Sequence, residues 1–261
     1  MDAIKETVVL LHCSGSSGSQ WRSLAERLSA RYRVIAPDLI GYGANSKTLL
    51  EDGFTLAREA APIIATLREP VHLVGHSYGG AVALHIARTR PRLVRSLTLI
   101  EPSAFHLLRD GDAIDAEALR EITEVAFQAN TSLASGDHLG GFGRFVEYWK
   151  PGSWDAMPAE KRQAFAHQLS KVTRDFEAIF SERVGSKDLR LAMPAMLVQG
   201  GCTTLPSRCV VDRLRKALPA AAFRVVQGAG HMLPITHRDQ VNALIAMHVD
   251  SNANCALREA A

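Results

Sequence analysis

A serine and a histidine, each framed by glycines, are the residues best placed to do chemistry in this 261-residue chain. The serine stands in Gly75-His76-Ser77-Tyr78-Gly79, a G-x-S-x-G pattern with an apolar run before it and a helical pattern after it. A serine at so tight a strand-to-helix turn takes a strained backbone, and the chain reverses there only where neighbouring side chains are absent. Its hydroxyl projects at a helix N-terminus, where backbone N–H groups stabilise negative charge. A hydroxyl is a weak nucleophile until a base takes its proton, and a histidine titrating near neutrality is the usual base. His231, in Gly228-Ala229-Gly230-His231 directly after the last apolar run, meets that need. His237 is the competing base, but it stands at the start of a helical pattern. Ser77 and His231 together are the parts of a nucleophilic acyl transfer.

Such a pair works only if the chain brings positions 77 and 231 to one place. Six short apolar runs supply the frame: 8–11, 33–36, 71–74, 97–100, 195–198 and 223–226. Continuous apolar runs of this length, spaced by helical patterns, predict strands buried on both faces of a mainly parallel sheet. Right-handed crossovers then put helices on both faces, giving an α/β fold. Between about Ser103 and Asp188 the rhythm breaks, and helical periodicity runs on with no strand. A helical insertion after the fourth strand accounts for it. Aromatic residues crowd this interval, Phe142, Phe145, Tyr148, Trp149 and Trp154 among them. Most of them glue the insertion's own helices together, and two or three are left to line a pocket beneath it. Gly140, Gly141 and Gly143 read as a helix–helix loop within the insertion. The expected division is therefore a core of residues 1–102 and 189–250, a cap of residues 103–188, and a tail of residues 251–261.

The His-containing loop after the first strand, the Gly-x-Ser-x-Gly elbow, the helical cap and the late Gly-x-Gly-His together resemble the α/β-hydrolase superfamily, from Val8 to about Val249. The resemblance implies a triad in the order nucleophile, acid, histidine, at the C-terminal edge of the sheet beneath the cap. It implies that the backbone N–H groups of Ser14 and Tyr78 hold the oxyanion. Members often carry His-Gly where this chain has His12-Cys13-Ser14, but backbone donors survive a change of side chain. Cys13 itself reads as a buried, inert thiol. Asp38, in Pro37-Asp38-Leu39-Ile40-Gly41, resembles a family loop residue that organises its own loop.

The acid is the larger departure. Many members place an Asp after the strand that follows the cap, and here Thr203 stands at that position, in Gly200-Gly201-Cys202-Thr203. A threonine cannot balance a developing imidazolium. Glu101, directly after the run 97–100, is the expected replacement, as in family members such as haloalkane dehalogenases that keep a glutamate there. Asp212 is the runner-up, inside a helical pattern.

A formal charge of +3 is too small to imply a nucleic-acid partner, and the local cluster Arg88, Arg90, Arg92 and Arg95 reads as a solvated helix end. The N-terminal residues lack a basic segment followed by an apolar stretch, no run is long enough to span a bilayer, and the four cysteines form no CxxC pair. A cytoplasmic setting, a small-molecule substrate and no metal or organic cofactor are the expectations; the oligomeric state is not legible. An apolar ester, thioester or lactone of small or medium size is the expected substrate. A carbon–carbon bond hydrolase, a lyase or a perhydrolase would use the same residues. A ligand receptor that keeps the fold without catalysis is the alternative from another class.

Overall fold

The computed structural model describes residues 5–48 and 52–253. Six strands form one sheet: β1 (Thr7–Leu11), β2 (Arg33–Ile35), β3 (Val71–His76), β4 (Val94–Ile100), β5 (Ala195–Gly200) and β6 (Ala222–Val226). Their order is β2-β1-β3-β4-β5-β6, and every pairing is parallel. Each expected run is a strand. β3 and β4 are longer than expected, because β3 continues through Gly75-His76 to the elbow and β4 begins at Val94.

The alternation of side chains along a strand divides the core in two. In β1, Val9 and Leu11 face one cluster while Val8 and Leu10 face the other. On the first face pack α2 (Leu56–Thr66), α3 (Tyr78–Thr89) and α8 (Leu205–Ala217). On the second lie α1 (Arg22–Ser29), α9 (Leu233–Thr236) and α10 (Arg238–Ser251), with Leu24, Leu233 and Val241 buried against the sheet. α10 includes Asp250, which accepts a hydrogen bond from the Tyr32 hydroxyl at 2.8 Å. Of the expected C-terminal tail, residues 254–261 lie outside the described residues.

Between β4 and β5 lies a helical insertion: α4 (Ala113–Ala134), α5 (His138–Trp149), α6 (Ala159–Ala166) and α7 (Leu169–Ser181). Asp112 opens α4 with a capping box, accepting from the N–H groups of Ile114 and Asp115 while the Asp115 carboxylate accepts from Asp112 N–H. Gly140, Gly141 and Gly143 are not a loop. They lie inside α5, where a Cβ on Gly141 would stand 2.5 Å from Ser132 Cβ and 2.6 Å from Leu169 Cδ2. The small size of Gly141 serves close packing of α5 on α4 and α7, and that of Gly143 makes room for Trp154, so these glycines mark contacts rather than a break. No helix among the described residues is long and apolar enough to cross a membrane.

Candidate active site

Ser77 sits between the end of β3 and the start of α3, with φ 54° and ψ −120°. The flanking glycines are sterically required. A Cβ on Gly75 would lie 2.3 Å from Gly79 O, and one on Gly79 would lie 2.4 Å from His12 O. The elbow is held from both sides, since Ser77 N–H donates to Ile100 C=O at 3.0 Å and Ser103 N–H donates to Ser77 C=O at 2.9 Å. Glu101 is the one other non-glycine residue with positive φ among the described residues, at 40°. Two strained residues at the ends of adjacent strands are what a constructed site looks like.

Three side chains from three strand ends meet there. The Ser77 hydroxyl lies 2.9 Å from His231 Nε2, and His231 Nδ1 lies 2.7 Å from Glu101 Oε2. All three are buried, Glu101 completely. The Glu101 carboxylate also accepts from Gly200 N–H at 2.7 Å and from the Thr203 hydroxyl at 2.6 Å. Thr203, at the position where an acid was absent, thus holds the acid that comes from β4. With an acceptor on Nδ1, the imidazole carries its proton there and leaves Nε2 free to accept from Ser77. The competing residues lie elsewhere: His237 Nδ1 faces the Thr236 hydroxyl at 2.9 Å, and Asp212 pairs with Arg215 at 3.3 Å.

The backbone N–H groups of Ser14, in the loop after β1, and of Tyr78, first in α3, have no acceptor among the described residues. Gly79 N–H donates to His12 C=O at 3.1 Å and draws the two segments together. His12 stiffens the loop: it accepts from Leu39 N–H at 3.0 Å and donates through Nδ1 to Cys13 C=O at 2.7 Å. Burial lowers its pKa to about 4, which keeps it in the neutral form that this arrangement needs. A second brace starts where Cys13 N–H donates to Gln20 Oε1 at 3.1 Å; the Gln20 amide then donates to His76 Nδ1, and His76 Nε2 donates to His231 C=O at 2.9 Å. Burial holds His76 well below the ordinary histidine range, so it too stays neutral. Burial likewise pushes the Cys13 thiol up to about 12, which leaves it protonated and unreactive. Asp38 accepts from Gly18 N–H and from Ala44 N–H, each at 2.7 Å, and so organises its loop.

Residues 8–244 match the model of the alpha/beta hydrolase family. The chain belongs to that family. It is 26% identical over 248 residues to the pimeloyl-[acyl-carrier protein] methyl ester esterase of Aeromonas salmonicida (strain A449), covering 93% of this chain and 94% of that protein. It is 28% identical over 246 residues to the esterase of the same name from Aeromonas hydrophila, covering 91% of this chain and 93% of the relative. Among solved structures, the enol-lactonase from Burkholderia xenovorans LB400 superposes with a TM-score of 0.72 at 18% identity, over 95% of this chain and 92% of that one, a likeness of fold.

An apolar cavity of about 170 Å³ lies between Ser77 and the helical insertion, walled by Phe142, Phe145, Val146, Trp149, Met157 and Phe165. Trp149, last in α5, lies over the His231 ring with centroids 4.1 Å apart. Also touching Ser77 is a much smaller space of about 10 Å³ bounded by Ser103, Phe105, Asp175, Phe176 and Ile179, room for one water or a methyl group. Two hydroxyls missed in the sequence touch the reacting atoms' neighbourhood: Ser103 Oγ is 3.1 Å from Ser77 Oγ, and Ser207 Oγ is 3.1 Å from His231 Nδ1.

Also missed is a buried ionic cluster beside the Ser14 loop. Lys171 Nζ on α7 contacts Asp175 of the same helix and lies 2.8 Å from Glu59 on α2. Three rings surround the ammonium, those of Tyr42, Phe54 and Tyr78, with centroids 4.6 to 4.9 Å away. Burial raises the Asp175 pKa to about 6, against the pull of Lys171. Lys171 and Asp175 stand four residues apart, a spacing that in sequence looks like an ordinary surface pair.

Proposed function

We propose that this α/β hydrolase cleaves an apolar carboxylic ester, thioester or lactone of small or medium size through an acyl-enzyme on Ser77. The observation that carries the reading is the unbroken chain from Ser77 Oγ to His231 Nε2 and from His231 Nδ1 to Glu101, under an apolar cavity. In this reading His231 takes the Ser77 proton as the hydroxyl attacks the carbonyl carbon. Glu101 stabilises the imidazolium that forms and holds its tautomer. The negative charge that grows on the carbonyl oxygen is received by Ser14 N–H and Tyr78 N–H. His231 then gives the proton to the leaving alcohol, thiol or lactone oxygen. A water, deprotonated by the same imidazole, attacks the acyl-enzyme and releases the acid. Serine at the elbow supports acyl transfer over dehalogenation or epoxide opening, which use an aspartate there.

The two unequal spaces beside Ser77 favour a substrate with an apolar chain on one side of the carbonyl and a small group on the other. The relatives named as methyl ester esterases support the same class. In the domain reading that goes with it, residues 1–102 and 189–250 are the catalytic core and residues 103–188 a lid that excludes water. The test is a panel of p-nitrophenyl and methyl esters of increasing acyl length, run with wild type and Ser77→Ala. Hydrolysis with a maximum at medium chain length and its loss by about 10⁴-fold or more in the variant is the expected result. Equal turnover by both proteins refutes the reading.

A further inference from the structure

The proposed oxyanion donors are joined by more than their loops. Ser14 Oγ donates to Asp175 Oδ2 at 2.6 Å, and the Tyr42 hydroxyl donates to the same oxygen at 2.5 Å. Lys171 Nζ bridges from Asp175 to Glu59, whose Oε2 accepts from the Tyr78 hydroxyl at 3.0 Å. The two residues whose backbone N–H groups face the reacting carbonyl are therefore the two ends of one chain: Ser14, Asp175, Lys171, Glu59, Tyr78. Every charged member is at most 2% exposed.

This placement is costly, which is informative. Removing a carboxylate or ammonium from water costs several kcal/mol per ion, and an apolar core of the same volume would often be as stable. Room had to be made as well: Gly41, at φ 78°, lies where a Cβ would come within 3.0 Å of Lys171 Cδ. Glu59 is held from a second side by Ile40 N–H at 2.7 Å, so the chain does not swing as a unit. What the cluster fixes is the distance between the loop after β1 and the start of α3, the distance on which an oxyanion hole depends.

We propose that Asp175 and Glu59, clamped on Lys171, are positioning residues that set the separation of the Ser14 and Tyr78 N–H groups. The proposal rests on the assignment of those two N–H groups as the oxyanion hole. Because Lys171 and Asp175 belong to α7, it also makes the cap a structural part of that hole. The hole is complete only when α7 is seated on α2 and the Ser14 loop.

The test compares wild type with Asp175→Asn and Glu59→Gln, which keep shape, and with Ser14→Ala and Tyr78→Phe, which cut the chain's ends without removing a buried charge. The last two stand in should an Asp175 or Glu59 variant fail to fold. Two quantities are read for each: kcat and KM on p-nitrophenyl butyrate, and the affinity of phenylboronic acid, whose tetrahedral adduct with Ser77 fills the oxyanion site. The expected result is a fall in kcat of about 10- to 100-fold with KM within about threefold, and a loss of boronate affinity by the same factor as kcat. A merely structural role would lower the amount of folded enzyme and leave both constants of the remainder unchanged. Unchanged kcat in folded variants, or reduced kcat with unchanged boronate affinity, overturns the proposal. If instead wild-type protein and Ser77→Ala hydrolyse the ester equally, the functional reading itself falls and takes this one with it.

Discussion

Two buried ionisable clusters flank Ser77, and they are built on opposite plans. At the sheet edge a single carboxylate, Glu101, is held by neutral donors: Gly200 N–H, the Thr203 hydroxyl and the imidazole of His231. Under the cap an ammonium and two carboxylates hold one another inside a ring of aromatic side chains. The first arrangement leaves a single carboxylate whose only titratable partner is His231, the residue proposed to carry the proton. The second pairs both of its carboxylates with one ammonium, and in the reading proposed above it serves as a fixed strut. Burial alone does not mark a catalytic group; what matters is whether its partners are neutral or already charged.

The contrast breaks first at Lys171. Lys171→Met leaves Glu59 and Asp175 buried without their counter-ion, and a loss of about 3–5 kcal/mol in urea denaturation is expected. The triple variant Lys171→Met, Glu59→Gln, Asp175→Asn should recover much of that loss, since no unpaired charge remains.

Burial holds His12 and His106 at about 4, and His76 well below the ordinary 6.5. The unfolded chain therefore binds protons that the folded chain refuses below pH 6.5, so stability falls as the pH drops from 6.5 towards 4, by up to about 3 kcal/mol for each group shifted to about 4. Asp175 works in the other direction. Raised to about 6, it is protonated in the folded chain before the unfolded one, which offsets part of the loss between pH 6 and 4. Urea midpoints measured across this range should decline, and more steeply in Asp175→Asn; an equal slope in the two proteins would contradict the assignment.

Smaller effects are expected from steric and single-bond changes. Gly141→Ala puts a methyl against Ser132 and Leu169 and should cost about 1–3 kcal/mol in thermal or urea melts. Thr203→Val removes one donor from Glu101 and leaves two, so a fall in kcat of about tenfold is expected with folding intact.

The sheet-edge cluster was legible in the sequence and the strut was not, for a physical reason. Ser77, Glu101 and His231 each follow an apolar run, and parallel strands bring their C-terminal ends together whatever the details of packing. The strut draws on the loops at Ser14 and Tyr42, on α2, on α3 and on α7. No local pattern links those segments, and Lys171 and Asp175 alone look like a solvated helix face. The glycines of α5 failed for a related reason. Gly140, Gly141 and Gly143 carry the local signal of a loop, but packing of Gly141 against Ser132 and Leu169 and of Gly143 against Trp154 overrides it. Ser103 and Ser207 had no signal, since nothing in sequence distinguishes a hydroxyl that will point at the site.

Glu101 is proposed as the acid that replaces the aspartate missing at Thr203. Steady-state kinetics of Glu101→Gln on an ester substrate tests this most directly, because glutamine keeps the shape and removes the charge. A fall in kcat of about 10³- to 10⁴-fold, with KM and the melting temperature close to wild type, is the predicted result. Turnover near wild type, in a protein where Ser77→Ala is inactive, would contradict it.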